Sequence, residues 1–203
     1  MKRMVSRTAV AAGSLALVGG AVVAGAAPAG AVPIGNEAYG AATSGTVAVP
    51  PVANATEADS PLVASNANVP GVLSTGNIFD RADPNGASSR VTQGVVINLP
   101  DGGQLQASQV SSWCRIVGGD VYGGVTITAG RVIGNNNVNM SFPLPMHPAA
   151  DDVITLPNGA GTITLNDQTS VVGENGYAAI DADLTGGQHV VLAVSACYVA
   201  PVG

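Results

Sequence analysis

Short runs of Val, Ile and Thr alternate with tight-turn residues along most of this chain, at a spacing of about 8 to 12 residues from Gly71 onward. The clearest run lies within 121–133, where Val125 and Ile127 alternate with threonines. Such alternation is typical of a strand that buries one of its faces. The pattern therefore predicts an all-β fold of the sandwich or barrel type.

Turn motifs and a shortage of helix formers support this prediction. Strong turn signals stand at 83–86 (DPNG) and 157–159 (PNG). After residue 31 the chain contains no lysine and only three glutamates, and no window repeats its apolar residues at about 3.6 positions. We expect an all-β, two-layer antiparallel β-sandwich of about eight to ten strands, in which the apolar run 190–199 is a central strand covered on both faces.

The first 31 residues have the composition of a secretory signal peptide. Three basic residues near the start precede an unbroken apolar stretch, 8–27, that ends in small residues. Ala29 and Ala31 form the best small-x-small site, so we expect cleavage before Val32, although sites ending at residues 26 and 29 also fit. An uncleaved membrane anchor is the alternative, because about 20 apolar residues can span a bilayer.

Loss of this leader changes the charge of the chain. The mature part keeps four arginines and 13 acidic residues, which leave a formal charge of −9. A surface of this sign repels nucleic acid and anionic lipid. We expect no nucleic-acid partner and no integral membrane segment after cleavage.

The mature chain divides into two parts by composition. Prolines and glycines punctuate 32–70, which predicts one strand at 39–49 followed by an irregular connection. The region 71–203 is expected to form the sandwich core, which the strand at 39–49 joins.

Both cysteines, Cys114 and Cys197, lie in the exported part. An even number of cysteines in an oxidising compartment predicts one disulfide. The bond would link the middle of the fold to its last strand, and pairing would consume both thiols, which argues against a catalytic cysteine.

Two carboxylates are the best candidates for a ligand site. Asp181 and Asp183 are two residues apart on a predicted strand, so their side chains share one face at a distance of about 7 Å. Together with backbone carbonyls or Asp152 they could hold Ca²⁺. A solvated strand face is the alternative interpretation.

The sequence offers little for catalysis. His147 and His189 are far apart and lack the spacing of a zinc pair, and neither a Gly-x-Ser-x-Gly elbow nor a phosphate-binding loop occurs. We expect no enzyme and no cofactor. One of these histidines meeting a carboxylate and a hydroxyl in a single pocket would argue for an enzyme instead.

Three segments carry a family resemblance, namely 37–47 (EAYGAATSGTV), 120–124 (DVYGG) and 161–169 (GTITLNDQT). They resemble the choice-of-anchor P proteins of actinobacteria. In that family an Ala-Tyr-Gly start leads into a strand and a Leu-Asn-Glu-Gln signature precedes the final pair of strands. The signature reads LNDQ here, at 165–168, with Asp in place of Glu.

The resemblance spans most of 37–200 and implies an exported cell-surface or secreted protein of a Gram-positive bacterium, with a molecular activity that is unknown. Its partners are expected among other envelope components or among host and extracellular ligands. The sequence ends without a sorting motif or a hydrophobic tail, so we expect release or non-covalent association with the wall rather than covalent attachment.

Asn166, Asp167 and Gln168 in this signature have two interpretations. Buried amides could bond the backbone of a neighbouring loop and fix a corner of the fold, or the three side chains could bind a ligand. The sequence as a whole predicts an exported envelope or secreted protein with a structural or interaction role. A calcium- or carbohydrate-binding β-sandwich module is the alternative.

Overall fold

The computed structural model describes residues 35–135, 141–168 and 175–199. The predicted signal peptide with its cleavage site at Ala29, Ala31 and Val32 lies outside these ranges, as do the end of the segment 161–169 and the last four residues. Among the described residues, no helix has the length and apolar character needed to cross a membrane.

Strands make up nearly all the regular structure of the described residues. A single 3₁₀ turn, Pro157–Gly159, accompanies them. The eighteen strands are β1 (Glu37–Ser44), β2 (Val49–Val52), β3 (Ala55–Thr56), β4 (Leu62–Ala64), β5 (Asn68–Val69), β6 (Leu73–Thr75), β7 (Ile78–Asp83), β8 (Gly86–Val91), β9 (Val95–Asn98), β10 (Gln104–Ala107), β11 (Gln109–Val117), β12 (Asp120–Thr128), β13 (Arg131–Ile133), β14 (Phe142–Pro143), β15 (Asp152–Thr155), β16 (Gly161–Asp167), β17 (Gly176–Leu184) and β18 (Gln188–Ala196).

The first sheet forms one layer and contains both ends of the described chain. Its strands follow the order β15-β16-β17-β18-β1-β2, and β3 also pairs with β1. All pairs are antiparallel, with Leu192 of β18 opposite Ile180 on one side and Ala41 on the other. The strand predicted at 190–199 is therefore a central strand, as expected, although it begins at Gln188 and ends at Ala196.

The second and third sheets lie end to end. The second has the order β14-β13-β10-β9-β6-β5, and the third has the order β12-β11-β8-β7-β4. Each strand of the third sheet is adjacent in the chain to the corresponding strand of the second, so β6 continues into β7 and β10 continues into β11. The two sheets thus form a second layer. Each of its long strands is broken at about the same height, where the second sheet ends and the third begins.

The interruption is a row of backbone irregularities rather than a gap. Gln93 and Ala129 have positive φ angles of 62° and 50° at this level. Hydrogen bonds still cross the row, because the Gly94 amide donates to the Ser108 carbonyl (3.1 Å) and the Ser108 amide donates to the Thr128 carbonyl (2.9 Å). Positive φ turns the next side chain out of register, which ends the alternation at the junctions of β8 with β9 and of β12 with β13.

The main core lies between the two layers. Ile163, Leu165, Ile180 and Leu192 from the first sheet are fully buried and belong to one apolar cluster that also includes residues of both other sheets. From the second and third sheets this cluster contains Leu73, Ile78, Val91, Val95, Ile97, Leu105, Val110, Ile127 and Val132. This packing confirms the all-β sandwich, and the extra strands relative to the expected number come mainly from the interruption and from short strands of two to four residues.

A disulfide between Cys114 and Cys197 closes the sandwich at one end, which confirms the predicted bond. Its Cα atoms are 6.0 Å apart, and it joins β11 in the second layer to the residue that follows β18 in the first. Both cysteines are 3% exposed and pack with small residues of both layers. Nearby, the ring of Tyr177 fills the space that a side chain at Gly123 would need.

Two local predictions from turn chemistry can be compared with the structure. The PNG motif joins β15 to β16 in a hairpin, and both Asn158 (φ 54°) and Gly159 (φ 70°) have the expected positive φ. In 32–70 the predicted strand at 39–49 ends at Ser44, and short strands β2 to β5 occupy much of the segment expected to be irregular.

Candidate cation site on the first sheet

Two acidic side chains and a histidine meet on the face of the first sheet that points away from the main core. Ile180, Ala182 and Leu184 of β17 point into the core, so Asp181 and Asp183 point to the other side. In the pairing of β17 with β18, Asp183 stands directly opposite His189. The hairpin between these strands therefore assembles the three side chains.

The three groups are close enough to bind one ion together. His189 Nε2 lies 2.6 Å from Asp181 Oδ1 and 3.9 Å from Asp183 Oδ1. One ligand atom from each residue can be chosen so that all lie within 4.8 Å of one another. The Asp181 side chain is 7% exposed and that of Asp183 is 78% exposed, so the site has one inner and one outer carboxylate.

Electrostatics at the site favour a positive charge. The hydrogen bond with Asp181 raises the pKa of His189, partial burial lowers it, and the charges of Asp181, Asp183 and Asp167 raise it further. Because three carboxylates act on one imidazole, the protonated form of His189 is stabilised, and a metal cation that binds its Nε2 would have to displace that proton.

A serine contacts the second nitrogen of the same imidazole. Ser44 Oγ lies 3.5 Å from His189 Nδ1, while Asp181 lies on Nε2. A hydroxyl, an imidazole and a carboxylate thus do converge, as an enzyme would need. A hydrolase also needs an oxyanion hole and a substrate cleft beside the hydroxyl. A depression of about 210 Å³ beside Gln188 opens on the opposite face of the sheet from His189.

The donor set indicates which ions fit. Calcium prefers an all-oxygen site with six to eight ligands. One imidazole and two carboxylates suit Zn²⁺ and related transition metals better, and a hydrogen bond from the second ring nitrogen, here to Ser44, is the usual support for a metal-binding histidine. The predicted pair of aspartates therefore lies together, but in a site whose third member is a histidine.

Sequence reasoning missed His189 because it looked for histidine pairs. The signal that could have found it is the Gly-Gly turn at 186–187. Both glycines have positive φ, and this turn places Leu184 opposite Gln188, and hence Asp183 opposite His189. His147, the other histidine, is exposed in a proline-rich connection.

The signature residues 166–168 form a corner at the end of β16. Asn166 is buried, has φ 51°, and donates a side-chain hydrogen bond to the Pro148 carbonyl (3.2 Å). The backbone amide of Gln168 donates to the Asp151 carboxylate (2.8 Å). Asp167 is 3% exposed, and of the three signature residues it is the one whose charge acts on His189.

Comparisons with family models, with curated proteins and with solved structures found no match for this chain.

Proposed function

We propose that the protein is an exported component of the cell envelope or the extracellular space, of the choice-of-anchor P type, with a structural or interaction role. The observation that carries this proposal is the buried disulfide Cys114–Cys197. Cytosolic proteins rarely keep such bonds because the cytosol maintains thiols in the reduced state. The apolar stretch 8–27 behind basic residues supplies a route for export.

The disulfide suits a protein that must persist outside the cell. It closes a loop with a sequence separation of 83 residues and joins the two layers directly. In the chain-entropy model a loop of this length stabilises the folded state by about 4 to 5 kcal/mol. No catalytic step is part of the proposal.

Export can be tested with the full chain carrying a C-terminal tag in a Gram-positive host. We expect the protein in the medium or the wall fraction, with Val32 as its N-terminus and with both cysteines blocked to alkylation until reductant is added. A version that begins at residue 32 is the matched control, and it should remain in the cytoplasm with reactive thiols. Recovery of the full chain in the cytoplasm with two reactive thiols would contradict the proposal.

Binding of a divalent transition-metal cation is the second candidate function. The observation that favours it is the convergence of Asp181, Asp183 and His189, with Ser44 on the second ring nitrogen. Such a site would hold Zn²⁺ more tightly than Ca²⁺ because one of its three ligands is nitrogen.

Titration calorimetry of the purified protein with ZnCl₂ and with CaCl₂ tests this candidate. We expect one Zn²⁺ per chain, and at least a tenfold loss of affinity in His189→Gln and in Asp183→Asn. His147→Gln is the matched control, since it removes the other histidine and should bind as the unmodified protein does. Equal zinc binding by all the variants would refute the site, and tighter binding of Ca²⁺ would refute the choice of ion.

A further inference from the structure

The outer face of the third sheet gathers arginines and aromatic rings. Its strands alternate, so Cys114 and Val110 point into the molecule while Trp113 and Arg115 point outward. We call this surface the Arg–aromatic face, and its members are Phe79, Arg81, Arg90, Trp113, Arg115 and Tyr122. All six are exposed.

Strand register brings these residues together from four strands. Phe79 of β7 stands opposite Arg90 of β8, and Arg115 of β11 stands opposite Tyr122 of β12. The Arg90 guanidinium lies over the Phe79 ring, 5.4 Å from its centroid. The face is therefore continuous across the sheet rather than a set of isolated side chains.

Most of the arginines of the mature chain are concentrated on this face, where Asp83 and Asp120 are their acidic neighbours. Three of the four arginines after residue 31 lie on it, in a part of the chain whose formal charge is −9. Arg81 pairs with Asp83 (3.1 Å), but its side chain is still 69% exposed. Within the described residues Arg115 makes no ion pair or side-chain hydrogen bond, so its guanidinium is available to a ligand.

Trp113, the single tryptophan of the chain, is arranged to receive a flat ligand. Its direct cross-strand neighbours are Ser88 and Gly124, both small, so neither of these side chains covers the ring. The residue is 47% exposed, and nearby Tyr122 is 53% exposed. A tryptophan left this open on a regular strand loses the benefit of burial unless a partner covers it.

A shallow depression lies in front of the tryptophan. It has a volume of about 600 Å³, and its lining includes Trp113, Arg81, Arg115 and the small residues Gly86 and Ser88, together with Asp83, the ion-pair partner of Arg81. The small residues let a ligand approach the backbone, and the two guanidinium groups can pair with anionic oxygens at its edge.

We propose that the Arg–aromatic face binds an acidic polysaccharide, with Trp113 stacking on a sugar ring and with Arg81 and Arg115 pairing with carboxylates of the polymer. Flat aromatic rings match the apolar C–H face of a sugar, and the planar guanidinium forms two parallel hydrogen bonds with a carboxylate. The net charge of −9 repels every polyanion at long range, so the attraction must come locally from the three arginines of this face. The same residue types are enriched at protein interfaces, but the centre of such an interface is apolar, and here Ser88 and Gly124 flank the Trp113 ring instead.

This inference deepens the proposed interaction role and rests on export for access to the polymer. Its test is independent of export, because it uses the purified protein with its disulfide formed. A failure of binding together with normal export would overturn the inference and leave the proposed location intact.

The probe is polygalacturonate, measured by affinity electrophoresis and by titration calorimetry. We expect binding at low salt that weakens in 0.5 M NaCl, because exposed charge pairs are screened. Trp113→Ala and Arg115→Gln should each weaken binding at least tenfold. Arg131→Gln is the matched control, since it removes the arginine that lies on the second sheet, where it donates to Gln106, and should bind as the unmodified protein does. Thermal unfolding of every variant verifies that it is folded.

Three results would overturn the proposal. The first is no binding of polygalacturonate by the unmodified protein at low salt. The second is equal binding of dextran or of methyl-esterified polygalacturonate, which would leave no role for the arginines. The third is equal binding of polyglutamate combined with no effect of Trp113→Ala, which would assign the face to acidic proteins or to nonspecific charge attraction.

Discussion

A buried carboxyl group, Asp80, should make the protein more stable at mildly acidic pH than at alkaline pH. Asp80 is 2% exposed on β7, on the side that faces the first sheet. Burial raises its pKa to about 7, and the Ser89 hydroxyl and the amides of Gly40 and Arg90 lower it only in part. In the described structure neither carboxylate oxygen makes a hydrogen bond of normal geometry, since Ser89 donates to the Tyr39 carbonyl instead.

The sign and size of the effect follow from the two pKa values. In the unfolded chain an aspartate ionises near pH 3.9, so between about pH 4 and pH 7 the folded state holds a proton that the unfolded state has released. The free energy of unfolding therefore falls as pH rises through this window. From pH 5 to pH 8 the loss is about 3 kcal/mol, because the folded-state pKa of about 7 lies two units above the lower limit.

Asp80→Asn removes the titration but keeps the shape of the side chain. We expect the variant to have nearly the stability of the unmodified protein at pH 5 and to exceed it by about 3 kcal/mol at pH 8. Urea unfolding at pH 5, 6.5 and 8 measures this difference. If the m-value is unchanged, the shift of the urea midpoint is proportional to the change in the free energy of unfolding. Asp120→Asn, at an exposed position, is the control, and its curve should run parallel to that of the unmodified protein. Parallel curves for Asp80→Asn as well would refute the reasoning.

Three further predictions concern stability and are checked by urea unfolding. Replacing Cys114 and Cys197 together by serine should lower the free energy of unfolding by about 4 to 5 kcal/mol, and an unchanged midpoint would contradict this. Gly123→Ala should destabilise the protein by about 1 to 3 kcal/mol because its side chain would overlap the tyrosine ring packed there, whereas a methyl group at Gly124 would meet only Trp113 Nε1, at an ordinary contact distance of 3.8 Å, and should be tolerated. Ala129→Gly should stabilise the protein by up to about 1 kcal/mol, because φ at this position is 50° and glycine adopts this angle without strain. Destabilisation would show that the backbone at residue 129 is not strained.

Alternation and turn chemistry were sufficient to predict the fold class and several elements from the sequence. The apolar run 190–199 indicated a central strand, and the PNG motif indicated the hairpin that joins β15 to β16. These predictions succeeded because they depend on local properties, namely which face of a strand is apolar and which residues tolerate positive φ.

The interruption of the second layer was not predictable in the same way. Val121 to Ile133 reads as one alternating strand, but the structure divides it at Ala129, a residue with no sequence signature for positive φ. The strands paired with it are interrupted at the same level, between β10 and β11 and between β8 and β9. A single sequence does not show which strands are neighbours.

The same limit explains what was missed at the two surfaces. The sequence identified Asp181 and Asp183 by their spacing on one strand, but His189 joins them through strand pairing. Likewise, Trp113 and Arg115 are two residues apart on β11 and share one face, whereas Phe79 and Tyr122 reach the same face from other strands. Residues of one strand can be grouped from their order alone, while groups that cross strands require the register.

The pairing of β1 with β18 also determines when the molecule can be completed during synthesis. The first long strand of the described chain lies between β2 and the last strand, and Cys197 follows that last strand directly. β1 therefore remains without this partner until β18, far along the chain, becomes available. Such long-range pairing slows folding and leaves a strand edge open meanwhile. The assembly of the first sheet is a late and single event, which the closing disulfide then fixes.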